Sequence, residues 1–187
     1  MADFIQYCIA FSELDEAAIN ALLQNVTTKS FDKGTYLLKE GDVCKHLYFI
    51  NEGLVKSSFY KGDKEFIMRF FPENILFSLF DSYFPQTPSR CMITALENTT
   101  ATLINYHAME TLCQQHHCIE TFFRKLVAVA SAKMMKRISE MLEENATERY
   151  NLFLQENSAI IQRINLGDLA KYLGIAQQSL SRIRATR

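Results

Sequence analysis

The chain has 187 residues, enough for one large or two small domains at roughly 100–200 residues each. Hydrophobic residues make up 48% and charged residues 22%, which excludes a disordered or low-complexity chain. No apolar run reaches the roughly 18 residues that span a bilayer, so no membrane partner is expected, and a net charge of −1 names no partner by itself.

Residues 1–6 carry neither a basic n-region nor an apolar h-region, so export is not expected and a cytoplasmic setting is. The five cysteines, at 8, 44, 91, 113 and 118, are odd in number and form no CxxC pair. That usage fits reduced thiols. Leu14, Ala18, Leu22 and Val26 follow at four-residue spacing and predict a short leading helix over 14–26. Four of the six glycines (34, 41, 53 and 62) then fall at intervals of 7, 12 and 9. Glycine serves turns that need positive φ, and turns at about 8–12-residue spacing indicate an antiparallel β-domain. Strands are expected at 35–38, 47–50, 54–60, 65–71, 90–96 and 101–106.

From about residue 108 the period lengthens. A short helix is expected over 108–115, and a long one runs from Cys118 to about Glu144 without Gly or Pro. Its apolar stripe is Ile119, Phe122, Phe123, Leu126, Val129, Ala130, Met134, Ile138, Met141 and Leu142. At ~1.5 Å per residue the helix is roughly 40 Å long, more than a small β-domain is wide. A stripe that outruns its own domain needs a second surface. The expected one is a parallel coiled-coil-like homodimer, with Phe123, Leu126, Ala130, Met134, Ile138 and Met141 in the seam. Folding back onto its own β-domain is the alternative.

Residues 148–155 form an amphipathic helix with Tyr150, Phe153 and Leu154 inward, and Ile160, Ile161 and Ile164 lead on to a sharper pattern. Leu166, Leu169, Ala170 and Leu173 make one helical face, and Gly174 sits where a helix stops in the left-handed conformation. Ile175 plugs the turn, and Leu180 and Ile183 form the inner face of a second helix. This spacing is what a helix-turn-helix requires. The outer face then presents Gln177, Gln178, Ser179, Ser181 and Arg182, residue types that bond adenine, guanine and phosphate. A plain helical hairpin with a polar outside is the competing reading, and no acid occurs from 169 to 187 to support it. Residues 1–118 hold 9 Lys+Arg against 14 Asp+Glu, whereas 146–187 hold 6 against 3, including Arg182, Arg184 and Arg187. An acidic body with a basic tip fits one end meeting a polyanion.

In this order the chain resembles the Crp/Fnr superfamily of transcription regulators along its whole length. The pattern residues are Phe31 and Gly34, Glu40-Gly41-Asp42, Tyr48, Ile50, Gly53, Val55 and Lys56, with Glu65, Phe70 and Phe71 following. At the tip they are Asp168-Leu169-Ala170, Leu173-Gly174-Ile175 and Ser179 through Ile183. The resemblance implies an α+β fold in three parts: a β-roll effector domain over 1–117, a dimerisation helix over 118–145 and a helix-turn-helix domain over 146–187. It implies base contacts by Gln177, Gln178 and Arg182, and backbone or base contacts by Ser179 and Ser181, on duplex DNA with a palindromic operator. It also admits RNA polymerase as a partner. Many members start the recognition helix with Ser or Thr; Ala176 here forgoes a side-chain cap worth about 0.5–2 kcal/mol. The sequence given ends at Arg187, where many relatives continue into a wing, and that shorter tip is expected to anchor phosphate less firmly.

The ligand region departs further from the family. Cyclic-nucleotide members hold phosphate with a Gly-Glu-Leu turn and an Arg before Ser/Thr-Ala. Residues 72–95 here contain no glycine, and Ser78 and Leu79 stand where Gly-Glu is expected, with Ser89 in place of Arg. Arg90 lies one position later, which on a strand turns it to the other face. No cyclic AMP binding is expected. The region is apolar, and Phe77, Ser78, Leu79, Tyr83, Ser89 and Arg90 bound either a filled core or the site of an unidentified effector. No cofactor or metal is expected either: an iron–sulfur cluster wants about four closely spaced cysteines, and His107, His116 and His117 fall after the strands. The leading reading is a homodimeric DNA-binding transcription regulator and not an enzyme. Its rivals are a roll that senses a small molecule for a protein partner, and a metal-dependent cupin enzyme with no visible ligand set.

Overall fold

A computed structural model of the chain describes residues 2–185. Two short helices lead in. The first, α1 (Ala2–Ile9), was not foreseen; it buries Phe4 and Cys8 and sets Phe4 edge-on against Phe49 at 5.5 Å. The second, α2 (Glu16–Gln24), starts at Asp15, whose carboxylate accepts from the Ala18 N–H at 2.7 Å, and buries Ala18 and Leu22.

Eight strands then make two four-stranded sheets. They are β1 (Val26–Phe31), β2 (Tyr36–Leu38), β3 (His46–Glu52), β4 (Val55–Lys61), β5 (Lys64–Phe71), β6 (Leu76–Phe77), β7 (Met92–Ala95) and β8 (Thr99–Asn105). One sheet has the order β1-β8-β3-β6 and the other β2-β7-β4-β5, and every pairing is antiparallel. All six expected strands are present. The two unforeseen ones, β1 and β6, lie at sheet edges. Strand β1 shows no inside–outside alternation because its interior positions are all exposed; its register from Val26 opposite Ile104 to Phe31 opposite Thr99 is imposed by β8. Between β3 and β4, Gly53 takes φ +101°, and an added Cβ would lie 2.5 Å from Thr99 Oγ1 and 2.7 Å from the Asn98 carbonyl. Only glycine fits there.

A short helix, α3 (Phe80–Tyr83), lies between β6 and β7; α4 (Tyr106–Gln115) follows β8 and leads to the long α5 (His117–Glu143). The first turns of α5 bury Ile119, Phe122, Phe123 and Leu126 in the roll's own core, where Phe123 meets Tyr83 and Phe84. This corrects the expected seam. Phe123 and Leu126 are already covered by their own chain, so the folding-back alternative holds for the amino-terminal half of the helix. Beyond Leu126 the helix leaves the core and exposes Val129, Met134, Met135, Ile138, Met141 and Leu142.

Three helices complete the chain: α6 (Ala146–Glu156), α7 (Leu166–Leu173) and α8 (Gln177–Ala185), with a 3₁₀ turn at Ile161–Arg163. Asn145 and Glu148 form a reciprocal capping box at the start of α6. So small a unit is marginal alone, and it shares a core with the roll. Leu54, Ile67 and Phe70 of the second sheet join Tyr150, Phe153, Ile160, Ile164, Leu169, Ala170, Leu173 and Leu180.

Candidate nucleic-acid interface and effector region

The tip is built from its cap outward. Asn165 accepts from the Asp168 N–H at 2.8 Å and starts α7. Gly174 ends it in the left-handed region at φ 71°, and the Ile175 N–H returns to the Ala170 carbonyl at 3.1 Å. Those bonds satisfy the helix end as in a glycine-terminated cap. The long helix braces the same turn: Arg137 donates to the Tyr172 carbonyl and stands 3.9 Å over the Tyr172 ring. From α6, Arg149 donates to the Leu173 carbonyl at 3.2 Å. Cations thus hold the negative end of α7, where the helix dipole favours them.

On α8, Leu180 is fully buried and Ile183 half-buried, while Gln177, Gln178, Ser179, Ser181, Arg182 and Arg184 are exposed. All five expected DNA-contacting residues therefore share one accessible helix. Arg187, the third arginine of the basic tip, lies outside the described residues. The carbonyl of Ala176 accepts from the Leu180 N–H at 3.1 Å, but its methyl group offers no cap.

Two ionic groups lock this tip to the roll, and the sequence signalled neither. Lys56 on β4 lies 2.9 Å from Glu65 on β5 and 3.0 Å from Asp168 on α7. Lys171 closes the square on Glu65 at 2.7 Å. Lys56, Glu65 and Asp168 are all buried. At the other end, Arg163 grips Glu73 through two bonds of 2.7 and 2.9 Å and also pairs with Glu97, while Glu73 accepts from the Gly53 N–H at 2.9 Å. Lys56, Glu65, Gly53 and Asp168 all belong to the pattern that carried the family resemblance; their meeting across the domain junction needed the fold.

These contacts set an acid limit. Burial alone would raise the Glu65 carboxyl, but bonds from Lys171 and Lys56 outweigh it and hold it at about 2. Arg163 first, and then the Gly53 N–H, hold Glu73 at about 2. A carboxylate depressed on folding stabilises the protein above its unfolded value and loses that contribution as pH falls through its folded value. The chain is therefore expected to keep its ionic lock above about pH 4.5 and to lose stability progressively from there toward pH 2. Urea midpoints between pH 7 and 2.5 read this directly; Glu73→Gln should flatten part of the slope.

The effector region is packed. Phe77, Ser78, Leu79, Tyr83 and Ser89 are buried. Phe77 stacks on Phe71 at 3.7 Å and on Tyr48 at 5.7 Å. Ser78 donates to the His46 carbonyl at 2.9 Å, and Ser89 to the Cys91 carbonyl at 2.9 Å. Arg90 is exposed, with its guanidinium 4.7 Å over the Phe59 ring. Of the two alternatives, the packing fits the filled core: five of the six residues are buried, and the sixth is engaged on the Phe59 ring of β4. A cleft of about 560 Å3 opens elsewhere, between β5, α5, α6 and α7, and a smaller one borders Gly53 and Glu73; neither is lined by any of the six.

Residues 28–116 match the cyclic nucleotide-binding domain. The chain is 26% identical to the anaerobic regulatory protein of Bacillus subtilis, over 92% of this chain and 78% of that one. Its fold is similar to that of FixK2 from Bradyrhizobium japonicum, with a TM-score of 0.77 at 18% identity over 86% and 83% of the two chains. It is also similar to a structure described as a transcriptional regulator of the Crp/Fnr family from Eubacterium rectale, with a TM-score of 0.73 at 17% identity over 91% and 82%. Residues 28–116 thus carry a cyclic nucleotide-binding domain, and over most of the chain the fold is like that of a Crp/Fnr-type regulator. In its order of roll, long helix and helical tip, the chain docks that tip on β4 and β5 while leaving the outer face of α8 accessible.

Proposed function

We propose that this Crp/Fnr chain is a homodimeric transcription regulator that reads duplex DNA with α8, catalyses no reaction, and does not take a cyclic nucleotide at the family's position. The observation that carries the reading is the exposed Gln177, Gln178, Ser179, Ser181 and Arg182 face on a helix whose inner side is fixed by Leu180. No acid occurs beyond Asp168 to repel phosphate. The relatives named as regulators support the coarser part of the reading.

Dimerisation is assigned to a different side of α5 from the one the apolar stripe suggested. Ala128, Ser131, Met135, Ile138 and Leu142 recur at steps of three and four, the repeat of a coiled-coil seam. Met135, Ile138 and Leu142 are 66%, 46% and 81% exposed. Of these, only Ile138 belongs to the seam first expected. In this division the roll ends at 117, the long helix runs through 118–145, and the tip occupies 146–187.

The test compares wild type, Arg182→Ala and Gln178→Ala on a selected palindrome and on random duplex. If Arg182 pairs with guanine, its loss costs about 1–3 kcal/mol and relaxes one base pair per half-site. If it grips phosphate, the loss is uniform and the salt slope is shallower. Gln178→Ala changes preference with little effect on that slope, since Gln is neutral. Equal affinity of all three proteins for both duplexes would exclude DNA reading and favour a protein partner.

A further inference from the structure

The cleft between the roll and the tip has walls of unlike chemistry. Arg69 on β5 and Lys133 on α5 both line it, and so do Met68, Ile75, Met134 and Phe153. Other charges in the cleft are internally matched: Lys136 pairs with Glu156, and Arg137 with Glu140. Arg69 and Lys133 are not. Among the described residues neither makes a salt bridge, although Arg69 is half-buried, 5.6 Å over the Phe71 ring. Burial lowers the proton affinity of Arg69, and burial followed by the charge of Arg69 lowers that of Lys133. Glu156, which also lines the cleft, offsets part of this for both groups, yet two like charges held near one another with no salt bridge are a cost that an anion would reduce.

We infer that this cleft binds a small organic anion, with its carboxylate or phosphate head between Arg69 and Lys133 and a short apolar body against Met68, Ile75, Met134 and Phe153. The volume of about 560 Å3 lies within the range of roughly 300–1,000 Å3 that such ligands occupy. None of Phe77, Ser78, Leu79, Tyr83, Ser89 and Arg90 lines the site, although Phe71, which stacks on Phe77, does. It also lies on the side of α5 away from Met135 and Leu142, so the seam proposed above leaves it open. Its walls come from both the roll and the tip, through Phe153 and Tyr172, so occupancy bears on how the two sit together. A regulatory consequence rests on the DNA reading: by linkage, DNA would then change anion affinity by the factor by which the anion changes DNA affinity.

Binding itself is tested without DNA, which keeps the two readings separable. Calorimetry with hexanoate, hexyl phosphate and uncharged 1-hexanol distinguishes the heads from the body. Saturable heat is expected with at least one of the two anions and none with the alcohol. Arg69→Gln and Lys133→Gln should each weaken binding about tenfold, the worth of a charge-assisted bond, while Lys64→Gln, outside the cleft, should not. Lys133 sits on an exposed helix face, so its variant folds even if the Arg69 variant does not. Absence of saturable heat with both anions, or binding that Lys133→Gln leaves unchanged, overturns the site and leaves the DNA reading standing.

Discussion

Lys56→Met is expected to destabilise the chain by about 3 kcal/mol, the lower end of the roughly 3–5 kcal/mol lost when one partner of a buried ion pair is removed. The loss falls at the low end because Lys171 still holds Glu65 at 2.7 Å and Asn165 still donates to Asp168 at 2.9 Å. Asp168 nevertheless keeps its burial, loses its 3.0 Å cation and is left with Lys171 at 3.6 Å. The damage should concentrate at the junction, since Asp168 lies on α7 beside Leu169 and Ala170 of the shared core. Urea unfolding at pH 7 should show the lower midpoint, and hydrogen exchange should show earlier opening of α7 and α8 than of β3 and β8. A loss below about 0.5 kcal/mol, the usual range of surface substitutions, with unchanged protection of α7, would mean that the apolar core alone holds the tip.

The second large effect separates the two faces of α5. Met135→Glu with Leu142→Glu places four like charges in the proposed seam of a dimer, so a monomer is expected at micromolar concentration with its roll intact. Leu126→Glu should behave oppositely. Leu126 is 3% exposed within the roll's own core, so a charge there costs several kcal/mol and unfolds the domain instead of splitting a dimer. Sedimentation and far-ultraviolet circular dichroism together distinguish the outcomes. A folded monomer from Leu126→Glu and an intact dimer from the double variant would return the interface to the face first expected.

The contrast shows what a periodic pattern can and cannot say. The apolar residues of α5 announce a long helix, but two stripes are merged in one list. Phe123 and Leu126 answer to Tyr83, Phe84 and the roll, and Met135 and Leu142 answer to nothing within the described residues but solvent. Hydrophobicity reports that a side chain wants cover; it does not report which surface supplies it. The apolar run at 76–84 posed the same ambiguity. Stacking of Phe77 on Phe71 and Tyr48 decided that Leu76, Phe77, Leu79 and Tyr83 are core, while Phe84 stays exposed.

Local chemistry was legible wherever one residue type meets one backbone requirement. Gly53 at φ +101° and Gly174 at φ 71° stand where turns were expected, because glycine alone enters those conformations without strain. The inner face of the helix-turn-helix was readable from the spacing of Ala170, Leu173 and Leu180, because a helix repeats every 3.6 residues or so. Sequence by itself thus determined the fold class and the order of roll, long helix and helical tip. It could not determine β1, whose exposed Thr27, Thr28 and Lys29 become strand only by bonding β8. Nor could it show the lock of Lys56, Glu65, Asp168 and Lys171, whose members stand up to 115 positions apart. Such contacts depend on distances that three-dimensional packing alone creates, and they leave no period in the chain.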